Sequence, residues 1–143
     1  MKIRNMVIED YDSVYRLWSS TEGMGMRSLD DTREGIEKFL RRNPVTNFVA
    51  IEDEKIVGAI LGGHDGRRGY IYHTAVDANY RGMGIGKQLV EAVVCAFREE
   101  GINKAALVVF GSNSLGNGFW RSLGWEQRTD LNYYNKSLND KNI

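Results

Sequence analysis

The sequence is short of several things at once. It has one cysteine, Cys95, so no intrachain disulfide can form, and that fits a reducing compartment. It has two histidines, which with the distant cysteine give no recognisable metal-ligand spacing, so no metal is expected. Lys+Arg and Asp+Glu number 19 each, and the basic excess of a nucleic-acid binder is missing. No stretch approaches the roughly 18 apolar residues of a membrane span, and the opening MKIRNMVIED lacks the apolar run of a signal peptide. The expectation is a cytoplasmic protein with no nucleic-acid or membrane partner. Proline occurs once, at Pro44, and no repeat, low-complexity tract or linker divides the chain. Its 143 residues are enough for one domain, 1–143, with its own core.

The pattern that is present reads as alternating strands and helices. Lys2–Met6 is a short strand. Val14, Leu17 and Trp18 stand at helical spacing behind Asp10 as N-cap. EGMGMRSLD has no period and is a loop; Asp30 or Asp31 then caps a second helix that runs to Arg42, ahead of Pro44. NFVAIED, KIVGAILGG and YIYHTAV form an antiparallel meander, turning at Asp53-Glu54 and at HDGRRG. Ile85, Leu89, Val93, Ala96 and Phe97 mark a long helix ended by Gly101. KAALVVF is a buried strand, SNSLGNGFWRSLGW a short helix, DLNYYNK a last strand, and Ser137 onward a frayed tail. The expected order is β-α-α-β-β-β-α-β-α-β, an α/β domain with a mixed, mostly antiparallel sheet and helices on both faces.

Between the third strand of the meander and the long helix lies YRGMGIGK, residues 80–87. A helix N-terminus offers unpaired amides and the positive end of a dipole, and phosphate is a common occupant. Gly82, Gly84 and Gly86 let the amides from Gly82 through Met83, Gly84, Ile85 and Gly86 to Lys87 converge on one anion, and Arg81 adds charge at the rim. Two phosphate motifs fail on spacing. A Walker A loop would need glycine at 81 and Ser or Thr at 88, where Arg81 and Gln88 stand; the dinucleotide fingerprint needs G-x-G-x-x-G. A glycine-rich turn that binds nothing is the plain alternative.

In context, AVDANYRGMGIGKQLV resembles the acetyl-CoA-binding signature of the GNAT N-acetyltransferases: a strand ending in valine, then Arg/Gln-x-x-Gly-x-Gly/Ala, then a helix. Val76, Arg81, Gly84 and Gly86 match it, while Asp77-Ala78 stand where many members have proline. Asn113, Phe119-Trp120 and Gly124-Trp125 match a second family segment. The element order agrees over nearly the whole chain, and GGHDGRRGYIYH is similar to small bacterial members, some described as ribosomal-protein N-terminal acetyltransferases. The resemblance implies that the strands flanking the long helix splay apart. The pantetheine arm then pairs with Thr74, Ala75 and Val76, the amides 82–87 hold the pyrophosphate, and Asn113 touches the arm from the other side. It implies acetyl-CoA as co-substrate, an amine acceptor (small molecule or peptide N-terminus), and allows a homodimer.

Acyl transfer to an amine requires loss of the amine's proton, donors for the oxyanion and help for the departing thiolate. Strict alternation on YIYHTAV puts Tyr70, Tyr72 and Thr74 on one side and Ile71, His73 and Ala75 on the other. The family's side-chain bases on this strand fall at the positions of Tyr72 and Tyr70. Tyr72 is expected to line the cleft, with proton loss through water, and His73 to point away into packing. The family's thiolate-donating tyrosine is replaced by Trp120, whose indole is no useful acid; Tyr133, Tyr134 or water would then supply the hydrogen bond. That replacement also leaves open a non-catalytic acyl-CoA sensor or interaction module. Cys95 is expected in the core, HDGRRG as a solvated hairpin, and the TEGMGMRS loop, with Trp18 and Glu22, over the acceptor end.

Overall fold

The computed structural model describes all 143 residues. Strands β1 (Lys2–Asn5), β2 (Phe48–Glu52), β3 (Lys55–His64), β4 (Gly69–Val76) and β5 (Ala105–Ala106) lie side by side in chain order. Every neighbouring pair is antiparallel except β4 and β5. Helices α1 (Tyr11–Ser19) and α2 (Arg33–Arg42) pack on one face; α3 (Ile85–Glu99) packs on the other, joined by α4 (Ser114–Ser122). The expected mixed, mostly antiparallel sheet with helices on both faces is the architecture found. No helix is long and apolar enough to cross a membrane.

Local chemistry accounts for the elements. Val14, Leu17 and Trp18 bury one stripe of α1, and Ile36 and Leu40 one stripe of α2; with Val49, Ala59, Leu61 and Ala75 they form one core layer. On the other face Ile85, Leu89, Val90, Val93 and Phe97 of α3 meet Val57, Ile60 and Ile71. Asp53 and Glu54 both have positive φ, 51° and 61°, the left-handed pair a two-residue hairpin needs to follow strand twist. After α3, the Gly101 amide bonds to the Arg98 carbonyl and the Ile102 amide to the Phe97 carbonyl, a Schellman stop with Gly101 at φ 77°. In the β3–β4 turn Asp65 Oδ1 accepts from the Arg67 and Arg68 amides, and His64 Nδ1 from that of Gly66. The turn satisfies its own polar groups, as a solvated hairpin should.

Several details differ from the sequence-based expectations. Thr32, not Asp30 or Asp31, caps α2, its Oγ1 accepting from the Gly35 amide at 3.0 Å; Asp31 is drawn away by tertiary partners. Asp10 precedes α1 without capping it, because its carboxylate is held by Arg4 and the Val7 amide. Cys95 is exposed, since α3 turns that position to solvent, its Sγ 3.7 Å from Glu99 Oε1. KAALVVF pairs only at Ala105 and Ala106, and Val108 and Phe110 are exposed. Residues 130–136 join no ladder; a β-rich segment becomes a strand only where an edge of matching length awaits it, and β5 is two residues long. The tail beyond Ser137 is docked rather than frayed: six hydrogen bonds join Lys141, Asn142 and Ile143 to Ser28, Leu29 and Asp30.

Arg4 grips the buried Asp10 with two bonds of 2.8 and 2.9 Å, tying β1 to the start of α1. Burial alone would push the Asp10 carboxyl up; the Arg4 guanidinium and the Val7 amide outweigh it and hold it below the usual carboxylate range. A carboxylate so lowered contributes stability that is complete above its unfolded pKa and lost as pH falls through the lower, folded one. Asp10→Asn is expected to cost about 1–3 kcal/mol at neutral pH. In urea melts, the gap from wild type should narrow as pH falls from 7 towards about 3; a gap independent of pH would count against the ion pair.

Candidate active site

The site is built where β4 runs out. Gly69 and Tyr70 pair with Ala105 and Ala106, and no ladder pair joins β4 to the chain beyond Ala106. The edge of β4 from Ile71 to Val76 is therefore open on that side, including Thr74, Ala75 and Val76. The chain then passes through a short 3-10 turn, Ala78–Tyr80, capped by Asp77 Oδ1 on the Asn79 amide, and enters α3.

The entry to α3 leaves its donors free. Gly82 and Gly84 have φ of 79° and 78°, and a Cβ added at either would meet nothing within 4 Å. Gly84 is the N-cap without a side chain to cap with; its carbonyl accepts from the Gln88 amide at 3.1 Å. None of the six amides from Gly82 to Lys87 has a partner. No acidic residue occupies the first turn of α3, so the positive end of its dipole is not offset. Arg81 folds back at the rim, its Nε 3.4 Å from the Val76 carbonyl. Gly86 serves a different purpose: a Cβ there would come within 2.9 Å of the Phe119 ring, so its absence lets α4 seat against the start of α3. These residues fit a diphosphate held by main-chain nitrogens, with an extended arm along the β4 edge.

The other end of the site departs from simple alternation. Ile60 pairs with Thr74 but Gly62 with Ile71, so two residues of β4, Tyr72 and His73, face one of β3. This bulge puts both on the α1–α2 side. Tyr72 meets Phe39 of α2 at 5.5 Å between ring centroids, and His73 meets Trp18 of α1 at 4.8 Å. The expectation that His73 points away from Tyr72 is thus corrected. Tyr70 keeps its place beside Tyr72, at 4.6 Å, while Ile71 and Val76 pack on the α3 side. His73 Nε2 lies 2.7 Å from Asp31 Oδ1. Asp31 also accepts from the Arg27 amide through Oδ2, and its carbonyl accepts from the Tyr11 hydroxyl. The Asp31 carboxylate thus joins β4 to the loop before α2, and the same residue's carbonyl adds α1.

The candidate hydroxyls sort themselves. Burial, with help from Tyr133 and Tyr72, pushes the Tyr70 phenol up to about 12. Burial, Tyr133 and Asp30 raise that of Tyr72. Both phenols are therefore neutral near pH 7, fit to donate or orient but not to act as bases. Tyr133 stands with them; Tyr134, 87% exposed, does not. Asn113 caps α4, its Oδ1 accepting from the Gly116 amide at 2.9 Å, and its Nδ2 lies beside Gly23. Trp120 is a core residue between Phe119 and Trp125, so its indole fills space where a tyrosine hydroxyl was at issue. Trp18 is likewise core, Met24 and Met26 pack against that layer, and Glu22 is exposed. The acid near the tyrosines is Asp30, which spacing alone had not singled out. A cavity of about 880 Å³ lies elsewhere, between the far side of α3 and the end of α4 around Val94, Arg98 and Trp125, and touches the turn only at Lys87.

Comparison with known proteins agrees with this geometry. The family model described as acetyltransferase (GNAT) family matches residues 9–125, and the chain belongs to that family. It is 30% identical over 138 residues to an acetyltransferase of Sodalis glossinidius, covering 96% of each chain. Among solved structures it resembles Ard1 from Thermoplasma volcanium, at TM-score 0.76 and 27% identity, covering 86% of this chain and 80% of that one. It also resembles an aminoglycoside acetyltransferase from an uncultured soil metagenomic sample, solved with sisomicin, at TM-score 0.74 and 27% identity over 95% and 96% of the two chains. The protein is an acetyl-CoA-dependent N-acetyltransferase, and the enzyme reading stands over the non-catalytic one.

Gly84 separates strain from charge. Gly84→Ala should cost about 1–3 kcal/mol through its positive φ alone, with a small loss of coenzyme A affinity. Gly84→Asp adds a carboxylate where the diphosphate belongs and should weaken affinity by a further factor on the order of ten or more. Calorimetric titration of both folded variants decides; equal affinities would remove the cradle.

Proposed function

We propose that the chain transfers the acetyl group by direct attack of a primary amine on the thioester in a ternary complex, with residues 1–143 acting as one N-acetyltransferase domain. The observation that carries this reading is the meeting, at the end of β4, of an unpaired strand edge with six unpartnered amides. In this reading the diphosphate lies against Gly82, Met83, Gly84, Ile85, Gly86 and Lys87, with Arg81 at the rim. The pantetheine arm takes the place of the missing strand along Thr74, Ala75 and Val76, and Asn113 forms the facing wall through the amide nitrogen its cap leaves free. The acetyl-CoA thioester supplies the acyl group and the leaving thiolate. No metal is assigned a part.

The chain's own work lies on the acceptor side. The amine must arrive neutral, yet an amine of ordinary pKa is mostly protonated at pH 7. With their phenols raised, Tyr72 and Tyr70 orient the amine and a water that carries its proton to solvent. Tyr133 is the hydroxyl nearest to replacing the family's donor to the sulfur, because Trp120 is buried in the core and Tyr134 lies in solvent. The acceptor is a small-molecule amine or a peptide N-terminus; the similar metagenomic enzyme is named for acetylating aminoglycosides. The setting is the cytoplasm; nucleic acid and membrane have no role, and the resemblance allows a homodimer.

Thiol release from acetyl-CoA, measured with amines, amino acids and N-terminal peptides, tests the reading. Turnover should require an acceptor and show intersecting, not parallel, initial-rate lines, as a ternary complex demands. Tyr72→Phe should lower kcat by about tenfold while coenzyme A affinity holds. Coenzyme A binding without turnover on any acceptor would return the protein to the sensor class, and an unchanged kcat would reduce Tyr72 to packing.

A further inference from the structure

The acceptor end carries more aromatic and acidic surface than acetyl transfer to a simple amine requires. Tyr72 lies within a strand yet is 50% exposed, and Tyr133 is 67% exposed. The Tyr70 and Tyr72 rings are 4.6 Å apart, with Phe39 edge-on behind Tyr72 at 5.5 Å. The 2.7 Å contact of His73 with Asp31 brings the chain at Asp30 to the stretch of β4 that carries Tyr72, and burial, Tyr133 and Asp30 all raise the Tyr72 phenol. No Lys or Arg nitrogen stands within 4.0 Å of the Asp30 carboxylate. Its Oδ2 accepts instead from Asn142 Nδ2 at 2.8 Å, while Asn142 Oδ1 receives the Leu29 and Asp30 amides at 3.0 and 3.1 Å. Asn142 therefore positions both the loop and its carboxylate.

Aromatic faces beside a carboxylate without a cationic partner make a surface for a cation. That cation is not the reacting nitrogen. A site that stabilises positive charge raises an amine's pKa and so opposes the proton loss that attack requires. Building on the transferase reading, we propose that Tyr70, Tyr72, Tyr133 and Asp30 form a subsite for a second, fixed positive group of the acceptor. Preferred acceptors then carry an ammonium or guanidinium a few bonds away from the amine that is acetylated. Tyr133 and Asn142, from the last part of the chain, determine specificity through this subsite.

Two matched pairs test this. One is a linear diamine against the monoamine of equal length; the other is an alanine-started peptide with lysine in second position against the same peptide with leucine. In at least one pair, kcat/KM should favour the dicationic member by a factor on the order of ten, and which pair does so tells a small polyamine-like acceptor from a peptide. Asp30→Asn and Tyr133→Ala should each bring that preference down to within about threefold, chiefly through KM, and Tyr133→Phe should keep it. Equal use of both members in both pairs, or a preference that survives both variants, would overturn the subsite. Coenzyme A titration of the wild type separates the layers. Binding and turnover without charge preference overturn the subsite alone; absence of binding overturns the transferase reading and the subsite with it.

Discussion

The structure turns on one parting of backbones. β4 and β5 share two residue pairs and then diverge, leaving the rest of the β4 edge without a ladder. Main-chain donors and acceptors that are dried without partners cost about 1–3 kcal/mol each. An edge of this kind is therefore an obligation that a ligand with its own amides can meet. The same geometry explains the turn beside it. Gly82 and Gly84, in left-handed backbone, leave their amides without partners, and no acidic side chain answers them from the first turn of α3. The strand edge and the helix start are adjacent, so one extended molecule with an anionic end can satisfy both.

A second constraint shapes the acceptor side. The β4 bulge sets Tyr72 and His73 on the same face in succession. His73 is thereby brought to Asp31, and Asp31 to Tyr11 and Arg27. These bonds join the α1–α2 loop to the strand that floors the site. The six bonds from residues 141–143 hold the same loop from outside. The loop is thus braced on both flanks, and its path against Asn113 and Phe110, where Gly23 and Gly25 approach closely, follows from that bracing.

What could be read in the residues was what local physics decides. Stripes of Val14-Leu17-Trp18 and Ile85-Leu89-Val93, the Asp53-Glu54 turn, the stop at Gly101 and the glycine entry to α3 all depend on neighbours close in sequence. What escaped depends on distant partners. Tyr72 and His73 carry no glycine to announce a bulge, so alternation placed His73 on the wrong face. Asp30 and Asp31 look like helix caps until His73, 42 positions away from Asp31, and Asn142, 112 away from Asp30, claim them. DLNYYNK reads as a strand but meets no edge long enough to receive it. The glycine turn before α3 was legible because its geometry is set by main chain in a local motif. The acceptor end was not, because four separated segments compose it.

Cys95 lies on the solvent side of α3, about 15 Å along the axis from the helix's first residue. As the chain's only thiol, it offers a single point for a maleimide fluorophore or spin label without mutagenesis. A dye there rides the helix whose first amides have no partner. Changes in its emission or rotational freedom would register occupancy of the helix start optically, on the native chain.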